Sequence, residues 1–166
     1  MKLANWTVLA AVALLAAACG KKEEPVMPAA GEAPLDTAPA AAAAPLSAAD
    51  KATLASLPAP YNTADPDNGK RKFGQCRSCH SITEGGPNMT GPNLWGVFGR
   101  KAGTEAGYSY SDGLKAAGWT WDAAHLDAWI KSPRAVLPDT KMTFLGVKTD
   151  KDRADLVAYL RLQGGK

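Results

Sequence analysis

Two thiols three positions apart and an adjacent imidazole, Cys76-Arg77-Ser78-Cys79-His80, constrain this chain more than any other stretch. Cys-x-x-Cys-His is the spacing that attaches c-type haem covalently. Two thiols on one helical turn can reach the two vinyl groups of a haem, and the neighbouring imidazole can ligate its iron. A chain so built folds around a flat, largely apolar plate. Cys-x-x-Cys also serves zinc sites and thiol redox centres. Zinc needs two more ligands, and the only other Cys and His are Cys19 and His125, with no second pair at zinc-knuckle spacing. A thioredoxin-like centre belongs in a βαβ pattern, and no such alternation is visible.

The chain divides by composition. One Lys, the apolar run Val8 to Ala18 and then Cys19 follow the layout of a bacterial export signal over 1–19. The run is short for a bilayer span. Ala16-Ala17-Ala18-Cys19 resembles the lipobox of bacterial lipoproteins, which implies diacylation of Cys19 and a lipid anchor. Ala16 stands where Leu is usual. With Cys76 and Cys79 given to haem and Cys19 to lipid, no thiol is left for a disulfide. Export agrees with the haem motif, because bacterial c-type haem is attached outside the cytoplasm.

Residues 20–60 are dominated by Ala and Pro and read as a disordered linker, since so few large apolar residues cannot bury a core. Ser47-Ala48-Ala49-Asp50 has the form of a capping box, which allows a short helix up to Leu57 before Pro58. As a flexible coil the linker reaches roughly 35 Å, and as a stiff Pro-rich extension ~120 Å.

The folded domain is expected over 61–166. Gly69 to Cys79 reads as a helix with Phe73 facing inward. Loops rich in Gly follow, at Gly85-Gly86-Pro87, Gly91-Pro92 and from Gly103. Thr120 to Lys131 reads as a helix carrying Leu126, Trp129 and Ile130 on one face, interrupted by Pro133. Thr149-Asp150-Lys151-Asp152 announces a last helix that buries Leu156, Val157, Tyr159 and Leu160 and stops before Gly164. The fold class is all-α with long loops.

From Asn68 to Gln163 the chain resembles the class I cytochromes c, close to the mitochondrial protein and its soluble bacterial relatives. Thr90-Gly91-Pro92-Asn93-Leu94, Gly99-Arg100-Lys101, Gly107-Tyr108-Ser109-Tyr110, Pro138-Asp139-Thr140-Lys141-Met142 and Asp155-Leu156-Val157-Ala158-Tyr159-Leu160 carry the likeness. The resemblance implies one covalent haem c, with His80 and Met142 as its iron ligands. A thioether favours ferrous iron and raises the potential. Met89 and His125 are competing ligands, and Met89 lacks the Pro-x-Thr-Lys lead-in. The resemblance further implies that the Pro92 carbonyl accepts from the His80 ring, a contact that tunes a ligand. It gives the haem propionates to Arg100, Tyr110 and Trp121, and the bracing of the Met loop to Thr140.

Three positions depart from the family pattern. Trp129 stands where a Tyr usually bonds the ligand sulfur, which leaves that contact open. Leu114 replaces an Asn of a buried water network, which implies a drier pocket, and Asp139 replaces a Gly.

The formal charge of the chain is +3, and residues 61–166 carry fifteen basic against eleven acidic side chains, a net +4. Nucleic-acid binding has no support, because no basic patch is interleaved with stacking aromatics. The resemblance implies docking on acidic partners through Arg134, Lys141 and Lys148. Gln75, Met89, Ala135 and Thr149 stand where Lys is common, so a tether would take over part of the steering. The implied role is that of a monomeric one-electron carrier, not an enzyme, on the periplasmic side of a membrane. The implied donor is a quinol:cytochrome c reductase, and the implied acceptor a terminal oxidase, a reaction centre or a periplasmic reductase. A ligand-binding haem enzyme would need an open iron position, and a fixed subunit of a larger oxidoreductase is the remaining alternative.

Overall fold

The computed structural model describes residues 45–164, and among these the regular structure is helical, with a single antiparallel bridge between Lys101 and Thr120. The lipobox-like Cys19, the export signal and most of the linker lie outside the described residues.

Helix α1, Ala48–Ala55, begins where Ser47 Oγ accepts the Asp50 N–H at 3.1 Å. It lies within the 20–60 stretch read as linker, yet Leu54 and Leu57 are buried against Ala158 of the last helix. The folded unit therefore begins before residue 61. Two leucines in an Ala-rich background suffice to seat one short helix, a signal that average composition hides.

Helix α2, Pro66–Phe73, is started by Asp65, whose Oδ1 accepts the N–H groups of Asp67 and Asn68 at 2.9 and 3.1 Å, with Pro66 pre-set for the first turn. Its C-terminus corrects the helix expected over 69–79. The regular helix stops at Phe73, and residues 74–79 form a run of turns. Bonds to the third residue back tighten this run: Cys76 N–H donates to Phe73 O at 2.8 Å and Cys79 N–H to Cys76 O at 3.0 Å.

Four further helices surround the loops. Helix α3, Asp112–Ala116, is capped by Ser111, and helix α4, Ala123–Lys131, by Asp122, so α4 starts three residues later than the expected Thr120. Pro133 opens a second short helix, α5, Pro133–Val136, instead of merely ending α4. Helix α6, Asp150–Leu162, buries every residue from Arg153 to Leu160. Thr149 makes no side-chain cap there, contrary to the expected capping box.

Helices α2 and α6 cross at Gly69. A Cβ at that position would stand 2.0 Å from the carbonyl oxygen of Asp155, so only glycine lets the backbones approach. Two buried charges of α6 hold the frame. Arg153 donates to Asp127 at 3.0 Å and to the carbonyls of Val147 and Lys148 at 3.1 and 3.0 Å, and it pairs with Asp150. Asp155 accepts from the N–H of Asp65 at 2.8 Å, the amide of Asn68 at 2.7 Å and Lys151 Nζ at 2.6 Å.

Burial opposes ionisation of Asp155, but Lys151, the Asp65 N–H and Asn68 outweigh it and hold the carboxyl below its usual range. A depressed folded pKa gives stability that is present above the unfolded value of 3.8 and lost as pH falls through the folded one. Asp155→Asn turns an amide N–H toward one of these donors and is expected to cost about 2 kcal/mol at neutral pH. In denaturant titrations the gap to the wild type narrows below about pH 4. A gap that stays constant to pH 2 or widens would show that charge is not the cause.

Candidate functional site

A cavity of about 560 Å³ opens in the middle of this frame, within the size range of ligand sites. Phe73 of α2, Leu126, Trp129 and Ile130 of α4, and Leu156 and Leu160 of α6 give it apolar walls. The loops supply the rest. All nine residues assigned to the cofactor from sequence line this one space: Cys76, Cys79, His80, Pro92, Arg100, Tyr110, Trp121, Thr140 and Met142.

The turn after α2 delivers both thiols and the imidazole. Neither cysteine is in a disulfide, and burial, followed by the neighbouring Cys79, pushes the Cys76 thiol up to about 11. A redox-active or catalytic Cys-x-x-Cys needs the opposite shift. The His80 ring donates through Nδ1 to the carbonyl of Pro92 at 2.8 Å, which leaves Nε2 with its lone pair. Burial holds this imidazole below its ordinary pKa, against the pull of the Pro92 carbonyl, so it is neutral and able to ligate. Gly91 makes room for the ring, since a Cβ there would lie 2.3 Å from His80 Cε1. Behind it, buried Asn93 donates to the carbonyls of Thr83 and Gly86, both at 2.9 Å, and accepts from Trp95 N–H.

Of the two methionines in the described residues, Met142 lines the cavity, while Met89 does not and is 46% exposed. Thr140 Oγ1 accepts the Met142 N–H at 3.2 Å. Trp129 Nε1 reaches the Met142 sulfur at 3.2 Å, so the contact that the Tyr-to-Trp change left open is made. His125 is away from the cavity, stacked on Trp119 and bonded to Asp122. Leu114 is buried in the cavity wall. Arg100 donates to the carbonyls of Asn93 at 2.9 Å and Trp95 at 3.3 Å and pairs with Glu105.

Sequence reasoning gave Gly91 and Asn93 no role of their own, although both stand in the quoted Thr90–Leu94 match. Glu105 carried no signal, because its partner is close only after the loop folds. Arg134, Lys141 and Lys148 are all exposed, and of these Lys141 borders the cavity.

Residues 66–163 match the family model described as cytochrome c. The chain belongs to the cytochrome c family. It is 43% identical over 106 residues to cytochrome c2 of Rhodomicrobium vannielii, covering 64% of this chain and 85% of that one. Against cytochrome c2 of Rhodoplanes tepidamans the identity is 49% over 96 residues, 58% of this chain and 90% of the relative. The structure of cytochrome cH from Methylobacterium extorquens superimposes with a TM-score of 0.56 at 41% identity, over 59% of this chain and 98% of that one. The protein is a class I cytochrome c, a mono-haem electron carrier and not an enzyme, with its haem c attached covalently. The cavity suits that group: apolar walls, two unbridged thiols, a neutral imidazole and a thioether border one space.

Proposed function

We propose that this cytochrome c is a membrane-tethered carrier of single electrons in the periplasm, taking them from a quinol:cytochrome c reductase and giving them to a terminal oxidase. The observation that carries the reading is the convergence of Cys76, Cys79, His80 and Met142 on one cavity. Cys76 and Cys79 would hold the haem through thioethers, and His80 and Met142 would ligate its iron. When bound, the haem supplies a one-electron ferric/ferrous couple. His80 is fixed by Pro92, and Met142 by Thr140 and Trp129, so the two side chains that would hold the iron are set in place and little would have to move on transfer. Arg100, Tyr110 and Trp121 border the same space and would hold the haem propionates, since buried carboxylates need such partners.

Cys19 is the lipid attachment point, and the linker is the leash. No helix among the described residues is long and apolar enough to cross a membrane. Arg134, Lys141 and Lys148 meet the partner, together with Leu145, which borders the cavity and is 84% exposed. A small charge set beside an apolar contact supports docking that leans on proximity more than on long-range steering.

An oxygen pulse onto anaerobic, reduced membranes that contain the protein tests this reading. The expected result is oxidation of its haem within milliseconds, at a rate that changes little with salt. Slow oxidation would point instead to a reaction centre or a periplasmic reductase as acceptor.

A further inference from the structure

Asp139, one of the departures from the family pattern, is exposed, yet it is bonded across the fold. Its Oδ2 accepts the N–H of Gly113, in the first turn of α3, at 2.8 Å. Glycine at 113 permits this, because a Cβ there would stand 2.4 Å from Asp139 Oδ1. Two residues on, Lys141 Nζ donates to the carbonyl of Ser109 at 2.6 Å and to its hydroxyl at 3.2 Å. Between these two stitches lies buried Thr140, and after them Met142. The turn that presents the thioether is thus sewn to segment 109–113 on either side of Thr140. That segment continues into the cavity wall at Leu114.

From this geometry we infer that Asp139 is a positioning residue for Met142, keeping the thioether in place against competing ligands. The inference rests on the reading of Met142 as the sixth ligand. A thioether is a weak ligand for ferric iron, so its retention depends on how firmly its loop is held. The backbone of 139–142 has few ties of its own, chiefly Thr140 N–H to Leu137 O at 3.1 Å. Cutting the Asp139 stitch frees one end of the turn while leaving α4, α6 and the His80 side untouched.

The test is imidazole binding to the purified ferric holoprotein, followed by loss of the sulfur-to-iron charge-transfer band. Asp139→Ala is expected to bind imidazole about tenfold more tightly than the wild type, the scale of one hydrogen bond to a charged group. Asp139→Asn keeps an acceptor for Gly113 N–H and is expected to restore most of the wild-type affinity. Unfolding in denaturant, read by helicity, is expected to lose no more free energy in Asp139→Ala than the tenfold gain in affinity represents, because the stitch is absent from the open and the unfolded states alike, and to move little in Asp139→Asn. An unchanged affinity in Asp139→Ala overturns the inference, as does a loss of global stability several times larger than the gain in affinity, which would mark a general structural role. Met142→Ala is the reference. If it binds imidazole no more tightly than the wild type, the ligand assignment itself fails. Tight binding by Met142→Ala beside an unchanged Asp139→Ala removes only the role of Asp139.

Discussion

Replacing Cys76 and Cys79 together with alanine is expected to leave a chain that does not hold its native tertiary structure. On the proposed assignment the two thiols would tie the cofactor into a cavity of about 560 Å³, walled by side chains from α2, α4 and α6. An empty space of that size would cost on the order of 10 kcal/mol, taking ~24 cal/mol per Å³. The total stability of a domain is only about 5–15 kcal/mol. The frame contacts of Arg153 and Asp155 cannot offset such a deficit. Near-ultraviolet circular dichroism and limited proteolysis would check it. The expected result is loss of the aromatic signal and cleavage through the loops between Gly85 and Gly118. Cooperative unfolding at a midpoint near that of the wild type would show that the helices support one another without the plate.

Met142→Ala is expected to produce the second-largest effect, on the electron-transfer centre and not on the fold. On the proposed ligation, the variant would lose a soft sulfur donor and its preference for ferrous iron. The midpoint potential is then expected to fall by on the order of 0.1 V or more, a part of the roughly 0.8 V range that axial ligands span. The reduced variant is also expected to bind carbon monoxide readily, and the reduced wild type is expected not to. Trp129 would lose the acceptor of its Nε1–H, a buried donor whose isolation costs about 1–3 kcal/mol. Potentiometry and carbon monoxide titration check both points. A potential within a few millivolts of the wild type would mean that another group holds the sixth position.

The site was far more legible in the sequence than the frame around it. Cys76, Cys79 and His80 are contiguous, and the chemistry of that spacing admits few readings. Contacts made across the fold were invisible, because they pair residues distant in sequence. Asp139 meets Gly113 twenty-six positions away, and Trp129 meets Met142 thirteen away. The Trp129 contact was left open from sequence because the reach of an indole depends on how α4 is set against the Met loop, which no local pattern encodes. Helix α3 escaped notice because five residues are too few to show a period, and Leu114 is its one buried side chain. The helix over 69–79 was overextended for a related reason. Nothing in the residue types separates an α-helix from the tighter turns that follow Phe73.

Helix α6 shows two faces to two different neighbours. Leu156 and Leu160 look into the cavity, while Ala158, about 200° away around the helix from either, is where Leu54 and Leu57 of the α1 segment rest. The α1 segment therefore packs on the side of α6 turned away from the cavity. A partner closing over Lys141 and Leu145 at the rim of the cavity would thus leave the contact between α1 and α6 undisturbed, so the same helix can carry the fold on one side and serve exchange on the other.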